Sequence, residues 1–183
     1  PDIWIMPALG GTADRITTDP AIDLDPSWSP DGSRIAFESY RGGRREIWTI
    51  PAGGGAATQL TSTPPGSGQP SWSPNGTQLA FSSSMGRTDY FARNRRIAVV
   101  PVAGGTPRSL TDAFDENPSL LAWDAHGLLF TGAERTATQI FRLDPTSKAI
   151  TRVAGPDGAM IGGVSLTSDG RTAAFTLASP TAL

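Results

Sequence analysis

Acyl transfer by a serine nucleophile needs a strained Gly-x-Ser-x-Gly turn, with a histidine and an aspartate brought to it. In this 183-residue sequence the nearest approach is Gly163-Val164-Ser165-Leu166-Thr167, which lacks the closing glycine. The one histidine, His126, falls at a hairpin position held elsewhere by Asp31, Asn75 and Asp169. It reads as a turn residue, so a triad has no base and no catalytic residue is expected in the chain. Metal chemistry is as poorly supplied. There is no cysteine, and no Asp-x-Asp-x-Asp-Gly loop to wrap a calcium ion. Asp112, Asp115 and Glu116 read as a solvated loop face. Gly53-Gly54-Gly55 lacks the lysine and following helix of a phosphate loop and reads as a hairpin element. No metal and no cofactor are expected.

Composition narrows the partners. The formal net charge is -2 and no basic run tracks a phosphate backbone, so nucleic acid is not expected. No stretch approaches the ~18 apolar residues of a membrane span. Gly (21) and Pro (16) are plentiful, which favours many turns over long helices. Pro1-Asp2-Ile3-Trp4-Ile5-Met6-Pro7 reads as the middle of a repeat rather than a signal peptide, so the natural N-terminus is expected upstream.

That repeat is what must position every side chain. Ser27-Trp28-Ser29-Pro30-Asp31-Gly32, followed by Arg34-Ile35-Ala36-Phe37, returns as Ser71-Trp72-Ser73-Pro74-Asn75-Gly76 and Gln78-Leu79-Ala80-Phe81. Decayed copies surround Trp123 and Leu166, giving steps of 44, 51 and 43 residues. A second block, Glu46-Ile47-Trp48-Thr49-Ile50-Pro51, has counterparts beginning at Asp2, Arg96 and Gln139. A third runs from Gly54-Gly55 to Leu60-Thr61, with counterparts ending at Thr17, Thr111 and Val153.

Each unit resolves into four short strands of alternating polarity, joined by Pro-Asp-Gly or Pro-Asn-Gly hairpins and Gly-Gly turns. Four antiparallel strands in about 40–45 residues make one propeller blade. The expected fold is an all-β propeller segment with about four blades' worth of four-stranded antiparallel sheets. Residues 1–17 supply the end of a blade, 25–61, 69–111 and 119–154 three full blades, and 164–178 the start of another. Trp28, Trp72 and Trp123 recur in phase and are expected to pack between blades, with Trp4 and Trp48 in the core. The open edges at either end are expected to invite self-association.

The blocks Trp-Ser-Pro-Asp-Gly…Ile-Ala-Phe, Ile-Trp-x-Ile-Pro and Gly-Gly-x-x-x-x-Leu-Thr resemble the TolB-type propeller repeat over essentially the whole chain. The same repeat forms the N-terminal propeller of prolyl-oligopeptidase-family serine peptidases. The divergent later half, from Ala98 through Ser168-Asp169-Gly170-Arg171, resembles the acylaminoacyl-peptidase-like branch of that family. This resemblance implies a bacterial-type, non-catalytic propeller that restricts access to a C-terminal hydrolase domain, its partner, absent from this chain. Two alternatives stay open: a TolB-like module that binds peptides or proteins, and a repeat appended to another enzyme such as an amidohydrolase.

One feature escapes the repeat. The 51-residue step is seven longer than the one before it, and the surplus falls around Ser84 to Arg95. Long loops on rigid scaffolds carry recognition, and aromatic and arginine side chains suit a peptide or acidic partner. Arg87, Tyr90, Phe91 and Arg93 are the candidate recognition residues. Arg41, Arg44 and Arg45 occupy the equivalent loop of the preceding unit.

Overall fold

Where apolar and polar residues alternate between glycine turns, the chain is extended. The computed structural model describes residues 1–86, 94–134, 136–155, 158–167 and 170–178, and every helix-or-strand element among them is a strand. β1 (Trp4–Ile5) and β2 (Asp14–Arg15) form a two-stranded sheet. β3 (Asp23–Trp28), β4 (Arg34–Ser39), β5 (Glu46–Pro51) and β6 (Thr58–Gln59) form a four-stranded sheet in chain order. β7 (Ser67–Trp72), β8 (Gln78–Ser83), β9 (Arg96–Pro101) and β10 (Arg108–Ser109) form the next. β11 (Ser119–Asp124), β12 (Gly127–Glu134), β13 (Ala137–Leu143) and β14 (Ile150–Ala154) repeat the order, and β15 (Met160–Leu166) pairs with β16 (Ala173–Ala178). The molecule is an all-β propeller segment: half a blade, three blades, half a blade.

The first hairpin of each blade is built by side chains bonding to their own turn. The Ser29 amide donates to the Arg34 carbonyl at 2.9 Å, and the Gly32 amide donates back to the Ser29 carbonyl at 2.9 Å. Gly32 and Gly76 take φ of 70° and 68°, which a Cβ would strain. Asp31 Oδ1 accepts from Ser29 Oγ at 2.6 Å and from the Ser33 amide at 3.0 Å. Asn75 does the same with Ser73 Oγ at 2.8 Å and the Thr77 amide at 3.1 Å. In the third full blade the turn contracts: Asp124 pairs directly with Gly127, leaving Ala125 and His126 as a two-residue loop.

A threonine latches the outer edge of the first sheet and of the first two full blades. Thr17, Thr61 and Thr111 are buried, and their Oγ1 atoms accept the amides of Ile3, Ile47 and Ile97, each at 2.9 Å. The fourth strand is only two residues long in three of the sheets, so this bond holds the chain after pairing stops.

The core lies between blades. Ile3 and Ile16 meet Ile35, Phe37 and Ile50 of the next sheet. Ala36, Ile47 and Leu60 meet Trp72, Leu79 and Phe81. Ala80, Ile97 and Leu110 meet Leu120, Leu128 and Phe130. The Ile-Ala-Phe pattern follows from this: the large residues of β4 face the preceding blade, and the small alanine shares a cluster with the following blade's tryptophan. Trp72 is 6% exposed and donates Nε1–H to the Ser27 carbonyl at 2.9 Å.

The other tryptophans correct the expectation of uniform packing. Trp123 and Trp48 are half-buried against their clusters, but Trp28 is 52% and Trp4 56% exposed. The cause is local: the sheet preceding Trp28 consists of β1 and β2, with no counterpart of the Ser27 carbonyl or of Ala36 to cover the ring.

At the other end, β15 and β16 are joined to the preceding sheet. β14 pairs with β13 only from Ile140 to Leu143, with a bulge between Ile140 and Phe141. Thr138, left open, takes one parallel pairing with Met160, and the Gln139 Nε2 group donates to the Ala159 carbonyl at 3.5 Å.

Candidate functional site

The first strands, β3, β7 and β11, stand beside one another along the inner face of the blades. Each of the three, and β15 after them, is interrupted near the same place. Pairing shifts between Leu24 and Ser27, between Gly68 and Ser71, between Leu120 and Ala122, and between Gly162 and Ser165. Asp25 and Gln69 occupy the bulges at φ of 50° and 58°, followed by Pro26 and Pro70. Left-handed backbone at a non-glycine residue costs about 1–2 kcal/mol, so the surroundings must hold it.

Glu38 supplies that hold. Its side chain is fully buried, its Oε1 accepts the Gln69 amide, and its Oε2 lies 3.2 Å from Arg45 Nη1. A Cβ on Gly68 would sit 2.5 Å from Glu38 Oε1 and 2.9 Å from Arg45 Cζ, so only glycine lets this pair pass. Burial pushes the Glu38 carboxyl up; the Gln69 amide and Arg45 guanidinium pull it down, and the neighbouring Asp25 carboxyl adds to the rise. Because Glu38 is closed to solvent it cannot meet a substrate, and its work is to fix the bulge. The cleft in front, of about 510 Å³, is lined by Asp25, Ser27, Gln69 and Ser71 with Pro26 and Pro70. Leu120 and Leu121 complete the lining, and the exposed Asp25 carboxylate and Gln69 amide, with the half-buried Ser27 and Ser71 hydroxyls, can exchange hydrogen bonds with an extended backbone.

The residues singled out from sequence fall elsewhere. Ser165 is an exposed strand residue opposite Ala174, as Ser27 is opposite Ala36 and Ser71 opposite Ala80. His126 is exposed in its turn, its amide donating to Asp124 Oδ1 at 2.7 Å. Asp112 accepts from Ser109 Oγ at 2.7 Å and lies 3.6 Å from Lys148 Nζ. No cluster of three or more metal-ligating side chains occurs among the described residues. Arg87, Tyr90, Phe91 and Arg93 lie outside the described residues. Arg41 serves the scaffold: it meets Asp23 at 2.8 Å and Asp19 at 3.8 Å, with its guanidinium 5.2 Å from the Phe37 and Trp48 ring centres. The bulges and the Glu38–Arg45 pair were missed from sequence, although Asp25-Pro26 and Gln69-Pro70, one repeat apart, were the visible signal.

Inner strands broken by recurrent bulges, blade-to-blade cores and threonine latches define a β-propeller scaffold whose inner face is a polar cleft. The chain belongs to the TolB beta propeller domain family, whose model matches residues 1–163. It is similar in structure to TolB from Acinetobacter baumannii, with 21% identity and a TM-score of 0.73 over 98% of this chain and 43% of that one. It is also similar to a puromycin-hydrolyzing peptidase of Mycobacterium tuberculosis (19% identity, TM-score 0.68, 92% of this chain and 31% of that one). A chain of a nidogen/laminin complex matches at 16% identity and a TM-score of 0.64, over 85% of this chain and 57% of that one. The chain thus spans less than two thirds of the length of each, and at these identities the likeness is one of fold.

Proposed function

We propose that this chain is the non-catalytic propeller of a prolyl-oligopeptidase-family serine peptidase, restricting which peptides reach a hydrolase domain carried outside it. The observation that carries this reading is the inner cleft. It is open and polar and is lined by residues of successive blades, the chemistry needed to pass or hold a peptide backbone. The likeness to the puromycin-hydrolyzing peptidase supports it. The second reading is a TolB-like module that binds other proteins and serves no hydrolase, favoured by the likeness to TolB over 98% of this chain.

The two readings separate on the natural full-length polypeptide. A fluorophosphonate probe, which reacts with activated serine nucleophiles, is expected to label that polypeptide and leave the present chain unlabelled. Once labelled, the full-length polypeptide should no longer hydrolyse an acyl-peptide chromogen. A full-length polypeptide that resists the probe and hydrolyses nothing overturns the peptidase reading in favour of the binding module. Turnover by the present chain, lost on Ser165→Ala, overturns both.

A further inference from the structure

We propose that the cleft where the first hairpin of the second full blade meets that of the third binds a neutral saccharide against Trp123. It shares no residue with the inner cleft and does not rest on the peptidase reading. Its volume of about 480 Å³ falls within the range of about 300–1,000 Å³ usual for small-molecule sites. The β7–β8 hairpin supplies Asn75 and Gln78, the β11–β12 hairpin supplies Trp123 and His126, and the turn after β13 adds Asp144 and Thr146.

Trp123 is where this seam departs from the repeat. One seam earlier the equivalent cleft measures about 350 Å³, and Trp72 there is buried with its Nε1–H tied to the Ser27 carbonyl at 2.9 Å. Trp123 is half-buried on the cluster around Leu128 and Phe130, and its Nε1–H donates to no group among the described residues. Six residues separate Trp72 from its partner Leu79, but only four separate Trp123 from Leu128, so less chain fills the space beside the ring. The uncommitted groups around it are neutral, and they both donate and accept. Asn75 Oδ1 is taken by Ser73 Oγ and by the Thr77 amide and hydroxyl, which leaves Nδ2 to donate. The half-buried Gln78 side-chain amide and the exposed His126 imidazole bond to nothing among the described residues. The carboxylates, by contrast, are answered. Asp124 meets Arg142 at 2.7 Å, and Arg108 donates to the carbonyl of Pro145, next to Asp144, at 3.3 Å.

These features name the ligand. A sugar ring lays the C–H groups of one face on an aromatic plate, and each hydroxyl on its rim both donates and accepts. Its complement is an indole with a free N–H, set among free amides and an imidazole. An ionic ligand would find the carboxylates already beside guanidinium groups. A flat aromatic ligand would want a second apolar plate, and only Pro74, Ala125 and Pro145 accompany the tryptophan as apolar side chains.

NMR titration of the unaltered chain tests this with glucose, galactose, N-acetylglucosamine, cellobiose, lactose and diacetylchitobiose, each at up to about 10 mM. The readout is the Trp123 indole N–H resonance, assigned by its absence from Trp123→Phe. At least one saccharide should shift it to saturation. Gln78→Ala and His126→Ala should each weaken that saccharide about three- to tenfold, the worth of one hydrogen bond, while Thr58→Ala in the first full blade leaves it unchanged. Raising salt from about 50 to about 300 mM should leave the affinity unchanged, as a neutral ligand requires. Decaproline, the probe for a groove that takes proline-rich peptides, should leave the resonance unmoved. No shift with any of the six saccharides, a shift with decaproline, affinity that falls with salt, or binding indifferent to both alanine variants overturns the proposal.

Discussion

Asp31 shows how much of a propeller hairpin one side chain carries. The Ser29 hydroxyl, then the Ser33 amide and hydroxyl, hold its carboxylate well below the ordinary 3.8, at about 2. A carboxyl depressed on folding contributes stability above its unfolded value, and that contribution is lost as pH falls from about 3.8 through about 2. Carbon-detected NMR of the Asp31 carboxyl should give a midpoint near 2, while Asp31→Asn should flatten the acid limb of a stability–pH profile. Stability near neutral pH should barely change, because Asn75 makes the equivalent bonds in the next blade. An unchanged acid limb in the asparagine variant would mean that the pH dependence arises elsewhere. This turn was readable from Ser-Pro-Asp-Gly, since all its partners lie within five residues. Glu38 was not, since its anchoring amide belongs to Gln69, 31 residues later in the neighbouring blade. Short-range chemistry leaves a sequence pattern, whereas a contact made by the packing of two sheets leaves only a charged residue inside an apolar strand.

At the scale of the strand, the threonine latch and the tryptophan seam make separable contributions. Thr61→Val keeps the shape but removes the acceptor for the Ile47 amide and the donor to Glu46 Oε2 at 2.6 Å, both buried. Urea denaturation should show a loss of about 1–3 kcal/mol, because buried polar groups are left unpaired. Thr111→Val, which meets no carboxylate in the bonds seen here, should lose less. The seam is tested by one substitution at two equivalent positions. Trp72→Phe gives up the bond to Ser27 and part of a buried ring and should cost about 1–2 kcal/mol, whereas Trp28→Phe should stay within about 0.5 kcal/mol. Equal losses at the two positions would refute the view that burial by the preceding blade decides the worth of this tryptophan. Periodicity made the two residues look alike because it reports position within a blade. Whether the neighbouring blade offers an alanine and a carbonyl to receive the ring is decided by the preceding sheet, which no pattern around Trp28 records.

For the molecule as a whole, exposed apolar residues stand at both of its ends. Trp4 and Met6 lie exposed on the β1 side, and Phe175 and Leu177 on β16, at 39% and 47%. Within the complete blades β4 pairs with β5, setting Phe37 opposite Trp48 and Ile35 opposite Ile50. Repeat alignment puts Phe175 in the place of Phe37, Trp4 in that of Trp48 and Met6 in that of Ile50. The free edge of β16 therefore offers what the free edge of β1 lacks, in matching register, and unpaired edges of this kind recruit strands from other chains. Light scattering should give a weight-average mass above the monomer that falls on dilution, with two copies as the smallest assembly. Trp4→Lys and Thr176→Lys, each placing a charge on one of these edges, should separately shift the distribution to monomer while leaving the far-ultraviolet spectrum unchanged. A mass fixed at the monomer at every concentration would sink the pairing of edges. Association that survives both lysines would instead place the contact on another face, with exposed Trp28 the first surface to examine.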